Sequence, residues 1–298
     1  GLRESIEIGI SSSAASAAVT AMTPPPTPIR EQPTTIPRPR RLIRPSALPM
    51  PMVSVFHTPP FCWLESGVRA YRGDNVSFVT VSRALAREWG EIVPIDRTIY
   101  NGIDLARSPY RAEPEAEPYL AWYGRIVPEK GLHHAIAAAG QSGLPLRIAG
   151  PISNREYFAE AIEPKLSEEV RYEGHLDHDR LARLIGGARA ALCTPQWNEP
   201  YGLVVAEALA CGVPVVAFDR GAIGEILTAA TGILCEPNNV AALVRGIDSA
   251  AALDRAACRE RAERFCDMHV MVAAYDRLYR ERIAHATRPA ALAGLIPA

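Results

Sequence analysis

The sequence has no surplus of either charge: 32 lysines and arginines face 33 aspartates and glutamates, for a formal net charge of −1. General nucleic-acid binders carry a basic surplus, so no nucleic-acid partner is expected. None of the six cysteines forms a C-x-x-C pair or has a histidine at zinc spacing. They read as reduced core thiols of a cytoplasmic protein, and no metal site is expected. No run of about 18 uninterrupted apolar residues exists, which excludes a transmembrane helix. The longest apolar run, Leu203 to Phe218, is broken by Glu207 and Pro214. G-x-G-x-x-G and Gly-Lys-Ser/Thr are both absent, which sets aside a nicotinamide dehydrogenase and a P-loop ATPase. The first 50 residues hold none of the chain's aromatics but nine of its 26 prolines. Such a segment cannot bury enough apolar surface to offset its ordering entropy, so disorder is expected. Its Ala/Ser run has neither a basic start nor a long apolar stretch, so no signal peptide is expected.

From Pro51 onward the chain is that of a globular protein, with 48% hydrophobic and 22% charged residues overall. At about 150 residues per domain, 298 residues suggest two domains. Short β-rich runs occur at Val53–Phe56, Val76–Val81, Thr98–Tyr100, Tyr119–Tyr123, Leu146–Ala149, Val170–Tyr172, Ala190–Cys193, Val213–Ala217 and Gly232–Cys235. Helical segments alternate with them: Leu132–Ala139, Tyr157–Leu166, Arg180–Gly187, Leu203–Ala210 and Val240–Ala251. A long final helix is expected from Asp254 to about Ala286, with a break near Asp267. This alternation predicts an α/β fold, a doubly wound parallel sheet covered by helices on both faces.

Chemistry concentrates in two stretches. In the first, Asn198-Glu199-Pro200-Tyr201-Gly202-Leu203-Val204-Val205-Ala206-Glu207, a loop runs into a helix. Free amides near Gly202 and Leu203 would form an anion site at the start of a helix dipole. Glu207 falls one and a half turns further on, roughly 7 Å along the axis. A phosphate at the helix start would then have a carboxylate on either side. The plainer reading makes Glu199 a helix cap and Glu207 a solvated acid, although an acid among apolar neighbours on a core helix needs a partner. The second stretch is Trp122-Tyr123-Gly124-Arg125-Ile126-Val127-Pro128-Glu129-Lys130-Gly131. Its Arg125 and Lys130 suit a pyrophosphate, one by bidentate hydrogen bonds and the other as a point charge; they equally suit an exposed turn.

Together with Asn101-Gly102-Ile103-Asp104, Gly150-Pro151, Tyr172-Glu173-Gly174-His175, Ala208-Leu209-Ala210-Cys211-Gly212 and Gly221 to Glu225, these stretches resemble the carboxyl-terminal half of a family 4 glycosyltransferase of the GT-B fold. The resemblance implies retaining transfer of a sugar from a nucleotide-diphosphate donor, UDP- or GDP-linked, with no cofactor and no essential metal. In that scheme Arg125 and Lys130 neutralise the departing diphosphate. Glu199 holds sugar hydroxyls and Glu207 the ribose. Gly124 and the turn Tyr201-Gly202-Leu203-Val204 approach the phosphates, while Gly150, Gly174 and His175 line the base slot. Val53 to Thr58 resembles a strand end of the family's amino domain, making His57 a candidate catalytic residue on the acceptor side. A lone histidine after a strand also serves structure alone.

The organisation implied is a Pro/Ala/Ser-rich segment over 1–50 and a remnant of the acceptor-side Rossmann-like domain over 51–103. A nucleotide-sugar-binding Rossmann-like domain over 104–270 and a closing helix and tail over 271–298 complete it. No strand, Gly-rich loop and helix precede Val53, so the amino domain reads as incomplete. A sugar-nucleotide-binding fragment without turnover is the alternative function, and a sugar-nucleotide epimerase a more remote one. The acceptor stays open among glycan, lipid and small molecule. The cluster Arg38, Arg40, Arg41 and Arg44 reads either as a weak contact with the inner face of a membrane or as a solvated run.

Overall fold

The computed structural model describes residues 50–71 and 75–286. The expected disorder of the amino-terminal segment, the basic cluster Arg38–Arg44 and the end of the tail lie outside the described residues.

Two parallel sheets organise the chain. The first has the order β1-β2-β3, with β1 at Met52–Phe56, β2 at Val76–Thr80 and β3 at Arg97–Thr98. Its crossovers carry helix α1 (Cys62–Ala70) and helix α2 (Arg83–Gly90). On one face Phe56 stacks on Trp89, ring centroids 3.9 Å apart, and lies beside Phe78. On the other face Val79 and Ile99 pack with Leu278.

The second sheet has six strands: β4 (Leu120–Tyr123), β5 (Leu146–Ala149), β6 (Val170–Tyr172), β7 (Ala190–Cys193), β8 (Val215–Phe218) and β9 (Gly232–Cys235). Its order is β6-β5-β4-β7-β8-β9, and every pairing is parallel. The helices are α3 (Leu132–Ser142), α4 (Arg155–Tyr157), α5 (His178–Gly187), α6 (Leu203–Ala210), α7 (Ile223–Ile226), α8 (Val240–Ala250), α9 (Arg255–Phe265) and α10 (Met268–Ala286). Alternate residues of one strand feed two cores. Leu120 and Trp122 join α3 and α8, while Ala121 and Tyr123 join α5, α6 and α9. Burial on both faces is why these strands read as continuous apolar runs. The strand order reverses between β4 and β7, and ligands of doubly wound sheets bind outside the carboxyl ends of strands at such a switch point. The α/β class and the doubly wound parallel sheet expected from the sequence are therefore the ones observed.

Most elements match the sequence within a residue or two, and the differences have local causes. The helix expected over Tyr157–Leu166 is instead the short α4, a π-helical stretch at Phe158–Ile162 and a 3₁₀ turn at Glu163–Lys165. Pro164 has no N–H and its ring crowds the preceding turn, so a regular ladder cannot pass through it. Strand β8 starts at Val215 rather than Val213, because the Val213 amide closes α6 on the Ala208 carbonyl (2.9 Å) and Pro214 has no amide to give. The long final helix divides at Cys266–Asp267, where Ile103 inserts: its amide donates to the Cys266 carbonyl (2.7 Å) and its carbonyl accepts from Met268 (3.0 Å). The Asp267 carboxylate then accepts from the His269 amide at the start of α10 (2.9 Å). From this break α10 crosses to the three-stranded sheet, where Glu281 pairs with Arg97 at 2.8 Å. All six cysteines are free; five are buried and Cys62 is exposed, against the expectation that all sit in the core.

Candidate functional site

The loops that follow β4 and β7 are stitched together at the switch point. Thr194, just beyond β7, donates through Oγ1 to the Gly131 carbonyl (3.0 Å) and accepts from Trp122 Nε1 (3.3 Å). The Gln196 amide donates to the Glu129 carbonyl at 2.8 Å. These bonds bring Lys130 to Glu199, with Nζ 2.9 Å from Oε1 and 2.8 Å from Oε2. Both side chains are largely out of water, 23% and 13% exposed, so removing either would strand the other's charge. Trp197 completes the cluster: its Nε1 donates to Glu199 Oε2 at 2.9 Å, and the Lys130 ammonium lies 5.3 Å from the ring centroid.

Arg125 stands in contrast. It is half-buried just after β4 and has no hydrogen bond or ion pair among the described residues. The sequence suggested two cations ready for a diphosphate; the structure leaves Arg125 unpaired and commits Lys130 to Glu199. Nor does Glu199 cap the following helix. Helix α6 begins after Gly202, whose φ of +103° lies in the left-handed region that glycine adopts without strain, and no side chain caps it. Among the described residues the Leu203 and Val204 amides have no acceptor, which leaves an anion-attracting helix start beyond the carboxyl end of β7. Tyr123 anchors this turn by donating its hydroxyl to the Val204 carbonyl. Tyr201 is buried beside it.

Glu207, the fifth residue of α6, is half-buried, and its carboxylate has no hydrogen-bonding partner among the described residues, although an acid in apolar surroundings needs one. Burial pushes its carboxyl up to about 7. A ligand donating hydroxyl hydrogens would favour the ionised form and reverse that shift.

On the other flank, Gly124, Gly150 and Gly174 bring the exits of β4, β5 and β6 together. The Gly124 amide donates to the Ala149 carbonyl (3.0 Å) and the Gly150 amide to the Gly174 carbonyl (2.9 Å). Gly150 has a φ of +138°, and a Cβ there would collide with the Gly124 carbonyl oxygen, so only glycine permits this approach. His175 is exposed at the rim.

His57 lies apart. It follows β1 in the three-stranded sheet, its side chain is exposed, and among the described residues it forms no hydrogen bond or ion pair with Lys130 or Glu199. The protein around it lowers its pKa. The last turn of α2 links the two regions indirectly: Trp89 Nε1 donates to the Thr58 carbonyl (2.8 Å), and Glu88 accepts from Asn198 Nδ2 (3.2 Å).

Sequence reasoning did not place Trp197, Thr194 or Glu225 among the site residues. For Glu225 the signal was present in the stretch Gly221 to Glu225. Its carboxylate accepts from the amides of Arg83 (2.9 Å) and Ala84 (2.7 Å) at the start of α2, and from the Tyr100 hydroxyl (2.7 Å). Burial alone would raise its pKa, but these donors together outweigh that and hold it below the usual range. Three residues earlier the Ala222 amide donates to the Glu199 carbonyl (2.8 Å). One short segment therefore ties Glu199 to α2.

A family model described as glycosyl transferases group 1 matches residues 108–265, more than half of the chain. Glycogen synthase of Mycobacterium tuberculosis is 37% identical over 196 residues, covering 61% of this chain and 47% of that one. A GDP-mannose-dependent phosphatidylinositol monomannoside mannosyltransferase of Corynebacterium glutamicum is 29% identical over 137 residues, 42% of this chain and 36% of that one. The chain thus spans about half the length, or less, of these curated relatives. Among solved structures, a glycosyltransferase involved in avilamycin A biosynthesis superposes with a TM-score of 0.61 at 28% identity, covering 70% of this chain and 64% of that one. Anabaena HepE, solved with UDP and glucose and also with UDP-glucose, gives 0.66 for both at 18% and 19% identity, a likeness of fold alone. In the complex with UDP and glucose it covers 78% of this chain and 72% of HepE.

Proposed function

The chain belongs to the glycosyl transferases group 1 family, and from that premise we propose that it is a retaining, family 4 type glycosyltransferase that takes a nucleoside-diphosphate sugar at the carboxyl ends of β4 and β7. The observation that carries this reading is the Lys130–Glu199 pair, on the same two loops that hold Arg125, unpaired among the described residues, and lead into the uncapped start of α6. A diphosphate needs cations and amides; a sugar needs an oriented carboxylate. The crevice offers both within one stitched pair of loops.

Transfer breaks the bond between the anomeric carbon and the diphosphate oxygen, which keeps the electron pair. The acceptor hydroxyl forms the new bond and gives up its proton to an oxygen of the departing diphosphate. Retention requires the acceptor to approach from the face the diphosphate leaves. Arg125, the α6 amides and Lys130 meet the charge that grows on the leaving oxygen, and stabilising that charge more than the ground state is what accelerates the step. These protein groups supply the charge neutralisation that a metal ion supplies in other transferases. Glu199 orients the sugar and Glu207 accepts from the ribose hydroxyls. Gly150, Gly174 and His175 border the base. Relatives named for GDP-mannose and solved with UDP-glucose make those two the first donors to test. His57 is the candidate group on the acceptor side, and the acceptor is a glycan, a lipid or a small molecule. Among the described residues no helix is long and apolar enough to cross a membrane.

A second reading, binding without transfer, draws on one observation: among the described residues His57 forms no hydrogen bond or ion pair with Lys130 or Glu199. Thermal-shift titration with UDP, GDP and ADP, followed by assay of release and transfer from the matching sugar nucleotide, decides between them. At 100 times its dissociation constant a ligand stabilises the fold by about 2.7 kcal/mol. Stabilisation with turnover supports the transferase, stabilisation without it the binding reading, and no stabilisation by any nucleotide overturns both.

A further inference from the structure

We infer that Trp197 is a positioning residue that determines which sugar hydroxyl Glu199 recognises, an inference that rests on the donor site proposed above. The indole and Lys130 converge on one carboxylate. Trp197 Nε1 and Lys130 Nζ both reach Oε2, at 2.9 and 2.8 Å, while Oε1 receives only Lys130, at 2.9 Å.

The two donors differ in kind. The ammonium is a mobile point charge on a flexible stem, and a diphosphate arriving beside it competes with Glu199 for its protons. The indole carries one N–H fixed in a rigid ring and accepts nothing. Its backbone is held too: Pro195 and Pro200 fix φ on either side of the turn, the Gln196 amide is bonded to Glu129, and the Glu199 carbonyl to Ala222. When phosphate draws Lys130 away, Trp197 keeps Oε2 and the plane of the carboxylate stays where it was. Oε1 is then the atom left open, aimed in one direction.

Glu199 therefore presents Oε1 to the sugar in a fixed direction rather than as one of two interchangeable oxygens. An epimer that turns that hydroxyl from equatorial to axial leaves Oε1 unpaired. Sites built to hydrogen-bond a hydroxyl discriminate strongly on that ground. The face of the same ring keeps the displaced ammonium nearby through its cation–π attraction.

The test compares Trp197→Phe, which keeps the ring face and deletes the N–H, with Trp197→Gln, which keeps an N–H donor and deletes the ring. For the full chain, kcat and KM are measured with UDP-glucose against UDP-galactose and with GDP-mannose against GDP-glucose, alongside the Kd for UDP and GDP alone. In the wild type one epimer of the productive pair is preferred at least tenfold in kcat/KM. Trp197→Phe collapses that ratio toward one, chiefly through kcat, while the Kd of the bare nucleotide stays within twofold; Trp197→Gln retains most of the ratio. An unchanged ratio in Trp197→Phe overturns the inference, as does a wild type with no epimer preference. Should Trp197→Phe fail to fold, Trp197→Gln decides alone: a retained ratio supports the inference and a lost one overturns it. A wild type that binds neither UDP nor GDP overturns the donor site itself, a result distinct from turnover with an unaltered ratio.

Discussion

The crevice between β4 and β7 and the end of β1 both lie at the carboxyl ends of parallel strands, yet they are built differently. At the crevice, neighbouring loops exchange backbone and side-chain bonds, so Lys130, Trp197 and Glu199 have fixed partners. At the end of β1, His57 stands exposed and has no hydrogen bond or ion pair among the described residues, while Thr58 beside it accepts from Trp89. Geometry held by several bonds is pre-organised for charge that develops during a reaction. A group on a loosely tied loop acquires its geometry from what binds it. Under the proposed function, the loops after β4 and β7 would carry recognition of the donor, and the β1 end would contribute once an acceptor is present.

This contrast predicts a graded set of effects. The largest follows Lys130→Met, which leaves Glu199 charged, half-buried and held by Trp197 alone. Transfer falls by about 10²–10³, the scale for losing one pre-organised charge stabiliser. Steady-state rates check it; a loss under tenfold breaks the claim that this pair is the organising element. Next, Arg125→Gln weakens binding of bare nucleoside diphosphate by roughly tenfold, the order of one charged hydrogen bond. Arg125→Glu is worse, since a like charge then faces the phosphate. Isothermal titration distinguishes the two.

Glu225→Ala tests the segment joining the regions. Four donors lose their acceptor, the Arg83 amide and guanidinium, the Ala84 amide and the Tyr100 hydroxyl, so urea unfolding should show a loss of about 1–3 kcal/mol. Because the folded carboxyl titrates below its usual range, its contribution is present above the unfolded pKa and disappears as pH falls through the folded one. The stability difference between wild type and variant should therefore narrow on acidification; a constant difference contradicts the assigned ionised role.

For Glu207 the sign is opposite. A carboxyl raised to about 7 favours folding when protonated, so its contribution is complete below the unfolded value and is lost as pH rises toward 7. Glu207→Gln should consequently be the more stable protein at pH 8 and indistinguishable at pH 4.5, and it should lack the rise in nucleotide affinity expected of the wild type between pH 6 and 8. The smallest effect sharpens the comparison from its other side: His57→Gln leaves the Kd for bare nucleotide within twofold and lowers transfer. A large change in that Kd would mean the β1 end is part of the donor site.

Sheet and helices were legible because burial on both faces turns parallel strands into apolar runs and separates them by helical periods. What stayed hidden was partnership. Lys130 and Glu199 lie 69 residues apart, and no spacing rule announces that they neutralise one another. Trp197, an aromatic in a polar loop, shows its donor only once the turn between Pro195 and Pro200 is known. Pro164 was visible, but how the chain relieves it, by a π-helical stretch, depends on packing around Phe158 and Ile162. Glu225 sat in a recognised stretch, yet its target, two amides of α2, is set by tertiary structure alone.

The most direct test of the account is calorimetric titration of UDP, GDP and ADP into wild type and Arg125→Gln. The account predicts that one nucleotide binds wild type with clear preference and that the variant binds it about tenfold more weakly. Equal affinity in the two proteins, or no binding of any nucleotide to a cooperatively folded wild type, would contradict it.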